Sequence, residues 1–237
     1  MIKQNYISLI FMMLFLFNYS QEKINQYDND GNRHGIWKKN FEGTSVLRYE
    51  GQFEHGKEVG LFKYYQRVGK VSKLAATKQF NNDNSTADVR FISLAGNTIS
   101  QGKMDGKKYI GKWIYYHKNS KNIMTIEHYN DDGQLHGMKH IFYENQQLAE
   151  EVNYVDGKRE GEEKHYSMRG TVVKKYVYEN NQLHGKALHY DDDGNLIVEG
   201  QFKRDKKDGI WKYYSNGRLI EEKDYTYTPK FKKKKGN

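Results

Sequence analysis

The sequence predicts an all-β chain: an elongated single-layer antiparallel sheet of about eight stacked hairpins, preceded by a signal peptide. Three observations carry that expectation. Glycines recur at a spacing near 24 residues, aromatic residues follow them at fixed offsets, and turn-forming pairs sit midway between them. Composition agrees, because 20 Tyr and 22 Gly against a single Pro suit short strands and tight turns better than a helical core.

The leading residues stand apart. Lys3 precedes an apolar run of about 12 residues, Tyr6 to Phe17, which is too short to span a bilayer and gives way at Asn18-Tyr19-Ser20 to a polar chain. Residues 1–20 therefore read as a secretory signal peptide cleaved near Ser20, and the chain is expected to be exported, in the periplasm, outside the cell or associated with its surface. No cysteine is present, so disulfides, thiolate chemistry and thiolate metal sites are excluded.

The formal charge of +9 suggests a polyanion, but its location argues otherwise. Lys3 and the five lysines among residues 230–237 account for six of those charges and leave +3 on the body. Export disfavours nucleic acid as a partner. Residues 229–237 read as a Lys-rich disordered tail, and anionic lipid or glycan is the partner class such a tail would meet.

The array itself is expected over residues 21–228. Its opening glycines are Gly35, Gly60, Gly111, Gly137, Gly161, Gly185 and Gly209, at intervals of 25, 51, 26, 24, 24 and 24 residues. The interval of 51 hides one unit. An aromatic or similar residue precedes each glycine by seven or eight places (Tyr27, Phe53, Met104, Tyr129, Tyr154, Tyr178, Phe202), and Phe80 places the hidden opening position at Ala87. Within a unit, offsets +2 and +4 share one strand face. Trp37, Phe62, Trp113 and Trp211 stand at +2, and Tyr64, Tyr115, His165, His189 and Tyr213 at +4. The +2 aromatics are expected to pack between hairpins. Offset +5 carries Tyr65, Tyr116, Tyr166, Tyr190 and Tyr214, which read equally as packing or as a recognition surface.

Mid-unit turns are expected at Val68-Gly69, Ala95-Gly96, Asn119-Ser120, Asn145-Gln146, Arg169-Gly170, Asp193-Gly194 and Asn216-Gly217. In the fifth unit Phe142 and Tyr143 fall at +5 and +6, which with its 26-residue spacing suggests a bulge there. A stack of this kind buries each hairpin only against its neighbours, so its termini are its weak points and its end strands invite end-to-end self-association.

Gly209-Ile210-Trp211-Lys212-Tyr213-Tyr214-Ser215-Asn216-Gly217-Arg218-Leu219 resembles the MORN repeat in its bacterial variant form, as do Gly111 to Tyr116 and Gly60 to Tyr65 over the first half of the unit. The resemblance runs from about Tyr27 to Tyr225. It implies a protein-interaction or assembly module, with membrane-lipid binding proposed for some eukaryotic members and an antitoxin role attached to many bacterial variants.

Chemistry is little signalled. No Gly-x-Ser-x-Gly elbow, phosphate-binding glycine loop or His-Glu-x-x-His is present, and adjacent carboxylates such as Glu162 and Glu163 point to opposite faces of a strand. His34, His136 and His184 share one phase of the repeat, but equivalent positions lie about 9.5 Å or more apart, too far to share a zinc ion. Asp28 to Gly31, Asp131 to Gly133 and Asp191 to Gly194 read as turns rather than calcium loops. The chain is thus expected to be non-enzymatic, without cofactor, metal or catalytic residues. An unknown protein is its first expected partner, with a toxin-neutralising role or binding of anionic lipid or glycan as alternatives.

Overall fold

The computed structural model describes residues 23–81 and 84–227. The signal peptide read at residues 1–20 and the Lys-rich tail read at 229–237 lie outside the described residues. A short lead strand β1 (Gln26–Tyr27) opens the sheet. Eight hairpins follow in chain order: β2 (Arg33–Asn40) with β3 (Leu47–Glu54), β4 (Lys57–Val68) with β5 (Val71–Phe80), β6 (Thr86–Ile92) with β7 (Thr98–Asp105), and β8 (Lys108–Tyr116) with β9 (Ile123–Tyr129). The remainder are β10 (Gly137–Phe142) with β11 (Leu148–Val155), β12 (Lys158–Tyr166) with β13 (Val172–Glu179), β15 (Gly185–Tyr190) with β16 (Leu196–Lys203), and β17 (Lys206–Ser215) with β18 (Arg218–Asp224). The two-residue β14 (Gln182–Leu183) pairs with β13 just ahead of β15. The 18 strands make one open antiparallel meander whose registers run between chain neighbours, and it contains no helix among the described residues.

The hidden third unit lies where the spacing places it. Ala87 faces Met104 in register, as Gly35 faces Phe53 and Gly60 faces Phe80. Ala87 does not reproduce the backbone of its counterparts, however. All seven opening glycines have positive φ, a conformation that a Cβ strains. At Gly60, Gly111, Gly161 and Gly209 the pairing to the preceding strand slips by two residues, as in the step from Gln52↔Val59 to Glu50↔Lys63. At Ala87 the register runs straight through, from Phe80↔Ala87 to Ala76↔Phe91.

Two local expectations are corrected. The fifth unit has no register of its own, because a register step between +4 and +5 occurs in it and in the other seven hairpins alike. Phe142 occupies +5 opposite Leu148, as Tyr214 does opposite Leu219, and the long spacing comes from extra residues in the preceding loops at His117–Asn122 and Asn130–His136. The second hairpin turns at Gly69-Lys70 rather than Val68-Gly69, because Val68 still pairs with Val71. Asn216 and Gly217 both adopt positive φ, the conformation that a two-residue hairpin turn of matching twist demands.

A single-layer sheet buries rings only if one strand makes room for its neighbour. Here glycine makes the room. A Cβ on Gly51, Gly102 or Gly200 would overlap the ring of Phe62, Trp113 or Trp211 on the following strand. Phe62 and Trp113 are consequently 0% exposed and Trp211 2%. The indole N–H of Trp113 donates to Lys103 O at 2.9 Å, and that of Trp211 to Gln201 O at 3.1 Å. From the lead strand onward the rings of Tyr27, Trp37, Phe53, Phe62 and Phe80 follow one another edge to face, with centroids 5.2 to 5.8 Å apart. Such pairs add about 0.5–1.5 kcal/mol each beyond area burial.

Where the +2 residue is not a ring, the facing glycine on the preceding strand is absent as well, so that Val152 stands opposite Glu163 and Tyr176 precedes Ala187 in the seventh unit. This exchange of volume generates a test. Gly200→Ala is expected to destabilise the fold by about 1–3 kcal/mol in urea denaturation, the cost of overpacking a filled site. Adding Trp211→Leu to Gly200→Ala is expected to reduce the penalty attributable to Gly200→Ala; strictly additive penalties would contradict the contact.

Candidate functional site

The +2 row reads Trp37, Phe62, Val89, Trp113, Lys139, Glu163, Ala187 and Trp211 in chain order. Its aromatic character thus stops across β10 to β15, and ionisable groups take over the same face. Lys139 Nζ meets Glu127 Oε1 at 2.9 Å, both side chains being largely covered. Glu163, only 5% exposed, occupies the place of a tryptophan. Arg159 Nη1 lies 3.7 Å from its carboxylate and donates to Tyr178 OH at 2.7 Å. His165 sits between two acids, with Nε2 3.5 Å from Glu163 and Nδ1 3.6 Å from Glu150. On the next strands Tyr176 OH and His189 Nε2 are 2.8 Å apart.

These contacts set the charges. Burial works to raise the Glu163 carboxyl, but the hydrogen bond and charge of His165, with Tyr178 and Arg159, outweigh it and hold the group below its ordinary 4.5. Glu127 follows the same pattern, burial being outweighed by Tyr129 and Lys139. Burial, reinforced by Lys174 and Lys207, depresses His189 below 6.5 and favours its neutral form. Tyr178 is pushed up to about 12, first by burial and then by the charge of Glu163. The result is a charge-paired, hydrogen-bonded strip on an open sheet face. The imidazole of His165 thus sits between two carboxylates.

The +5 tyrosines lie on the opposite face, and most are held by the preceding hairpin. Tyr65 donates to Glu50 at 2.7 Å, Tyr166 to Glu151 at 2.8 Å and Tyr214 to Glu199 at 2.6 Å, while Tyr116 accepts from Gln101 Nε2 at 2.9 Å. A lysine at +3 completes three of these sets, with Lys63, Lys164 and Lys212 each within 3.7 Å of the same glutamate. Burial and then Glu50 push the Tyr65 phenol up to about 12. In the seventh unit, Lys175 holds the position of the glutamate, and Tyr190 is half-buried. The same face carries an open groove of about 710 Å³ across β4 to β8, lined by Leu61, Arg90, Lys103, Lys112 and Ile114 among others. A smaller hollow of about 420 Å³, with Ile36, Lys38 and Lys63, shares Leu61 and extends the groove to β2.

Other residues emerge only in three dimensions. Offset −2 lies across the aromatic row, where Tyr109 stacks on Trp113 at 3.8 Å and Lys207 Nζ stands 4.0 Å from the Trp211 ring centre. Arg33 covers Phe53 at 3.9 Å and Arg159 covers Tyr178 at 4.0 Å. The shared chemistry is a flat or cationic group on a ring, so a search for one residue type at that offset misses it. The acidic clusters behave as turns, since Asp28 Oδ1 accepts from the N–H groups of Asp30 and Asn32, and Asp191 Oδ1 from those of Asp193 and Asn195.

Two groups could bring three metal-ligating atoms together, each within 4.8 Å: Glu150 with Glu163 and His165, and Asp28 with His34 and His55. In the first, the two nitrogens of His165 address different carboxylates and Arg159 already neutralises Glu163, so the geometry is that of a charge network. The phase-matched histidines have separate local partners: His34 meets His55, His136 meets Asp156 at 3.1 Å, and His184 meets Glu179 at 3.4 Å.

No family model matches the chain, and no curated protein matches it. Among solved structures, the crystal structure of TcdB2-TccC3-Cdc42 aligns over 79% of this chain at 10% identity with a TM-score of 0.21. This chain spans 13% of the matched chain, and at that score the likeness carries no argument.

The shifted groups give the strip a pH signature. Both Glu163 and His189 bind protons more weakly folded than unfolded, so stability falls as pH falls. The contribution of His189 is lost from its unfolded value of 6.5 downward, and that of Glu163 from 4.5 downward. A series of thermal midpoints from about pH 8 to about pH 3 is expected to show both losses. His189→Gln should flatten the upper one and Glu163→Gln the lower one; an unchanged acid profile in both variants would contradict the assignment.

Proposed function

We propose that this chain is an exported, non-enzymatic repeat protein of MORN type that serves as a protein-interaction scaffold in the cell envelope or outside the cell. The observation that carries the reading is the open groove on the tyrosine-bearing face, where exposed Leu61 and part-buried Ile114 stand among cations. Leu61, on β4 at one edge of the groove, is 49% exposed. Aliphatic side chains bordered by charge are what a partner protein's surface covers, with apolar anchors and polar contacts at the rim. Support also comes from the frame. A hairpin stack held between neighbours presents a broad, pre-formed surface, so binding needs little ordering of the scaffold. Tyr65 and Lys38 hold Glu50, which with its neighbour Lys63 lines the extension of the groove toward β2.

The test is capture at the groove. A photo-crosslinker at Leu61 of the full chain is expected to trap a saturable protein partner from envelope fractions, and Ile114→Glu, at the far side of the groove, to reduce that capture by about tenfold. Capture that does not saturate, or that Ile114→Glu leaves unchanged, would oppose the reading.

A further inference from the structure

We propose that Asp28, His34 and His55 form a binding site for a zinc-class divalent cation at the N-terminal end of the array. His55 lies outside the repeat phase that the other two phase-matched histidines share with His34, and it reaches His34 because the turn between β3 and β4 folds back over the loop ahead of β2. That turn is fixed by its backbone: His55 and Gly56 adopt φ of 46° and 81°, and Gly56 N donates to Arg33 O at 2.8 Å. The two imidazole rings stand 5.1 Å apart between centroids, tilted by 49°.

Asp28 is held as firmly. Its Oδ1 accepts from Asp30 N at 3.0 Å and Asn32 N at 2.8 Å, and its Oδ2 lies 2.8 Å from His55 Nδ1. These backbone contacts fix the position of the carboxyl. One ligand atom from each of the three residues falls within 4.8 Å of the others. A zinc ion about 2.1 Å from each needs only a small closure of the exposed imidazoles. Two imidazoles with one carboxylate are the donor set of zinc and its neighbours rather than of calcium, and three protein ligands leave a position for water.

The chain supplies its own comparison. In the fifth unit the same three positions hold Asn130, His136 and Asp156. There Asn130 Nδ2 donates to Asp156 at 3.0 Å and His136 Nδ1 lies 3.1 Å from the same carboxylate, so one amide, one imidazole and one acid satisfy each other. Among the described residues, only the first unit pairs two imidazoles with an anion at these positions. Among the described residues only the short β1 precedes this unit, and an ion joining the loop before β2 to the turn after β3 would tie those two segments together.

Titration calorimetry of the folded full chain with zinc chloride tests the site. One zinc per chain is expected, weakened by about tenfold or more in His34→Gln and in His55→Asp, the latter copying the fifth unit's residue. His136→Gln is expected to leave the affinity unchanged, and calcium at the same concentration not to compete. Absence of stoichiometric zinc binding, zinc binding equally strong in His34→Gln and His55→Asp, or equal displacement by calcium would each overturn the proposal.

Discussion

The structure depends on a trade of volume between adjoining strands. A ring at offset +2 is buried in a sheet one layer thick only because the strand before it presents a glycine, and only because the opening glycine turns the backbone so that the ring lands there. Gly51 with Phe62, Gly102 with Trp113 and Gly200 with Trp211 are three copies of this arrangement. Each copy joins the second strand of one hairpin to the first strand of the next, so it is the bond between repeats and not within them. Chain connectivity closes the hairpins, and the ring over glycine stacks them.

That division explains where the two faces differ. One face carries the rings and, across β10 to β15, the polar residues that replace them. The other repeats the glutamate, tyrosine and lysine sets, whose members come from adjoining hairpins as well. Losing the ring at Glu163 removes apolar burial, and the network of Arg159, His165 and Tyr178 offsets the cost of burying a charge there. The second, fourth and eighth units therefore hold by packing, whereas the fifth to seventh hold more by hydrogen bonds and ion pairs.

Much of this could be read from residue spacing. Glycine intervals give the eight hairpins, and Phe80 locates the third unit despite the loss of its glycine, because the aromatic that precedes each unit is a cross-strand partner and survives independently. The second glycine row at Gly51, Gly102 and Gly200 was hidden because it recurs in only three units, those whose +2 ring faces it. Offset −2 was hidden because arginine, lysine and tyrosine cover a ring interchangeably there. His55 could not be found from periodicity at all, since a turn residue out of phase meets His34 only through the fold of the link between hairpins. The same link would have drawn notice from one comparison: where Asp105 and Asp156 precede the turn glycine in other units, His55 stands in this one.

Hydrogen exchange on Trp113→Ala, followed strand by strand, tests most directly whether the repeats hold one another by rings seated over glycines. Protection is expected to fall in β7 to β9, on either side of the vacated contact, and to persist in β16 to β18, where Trp211 still lies over Gly200. An even loss of protection along all eight hairpins would show a single cooperative body and contradict the account.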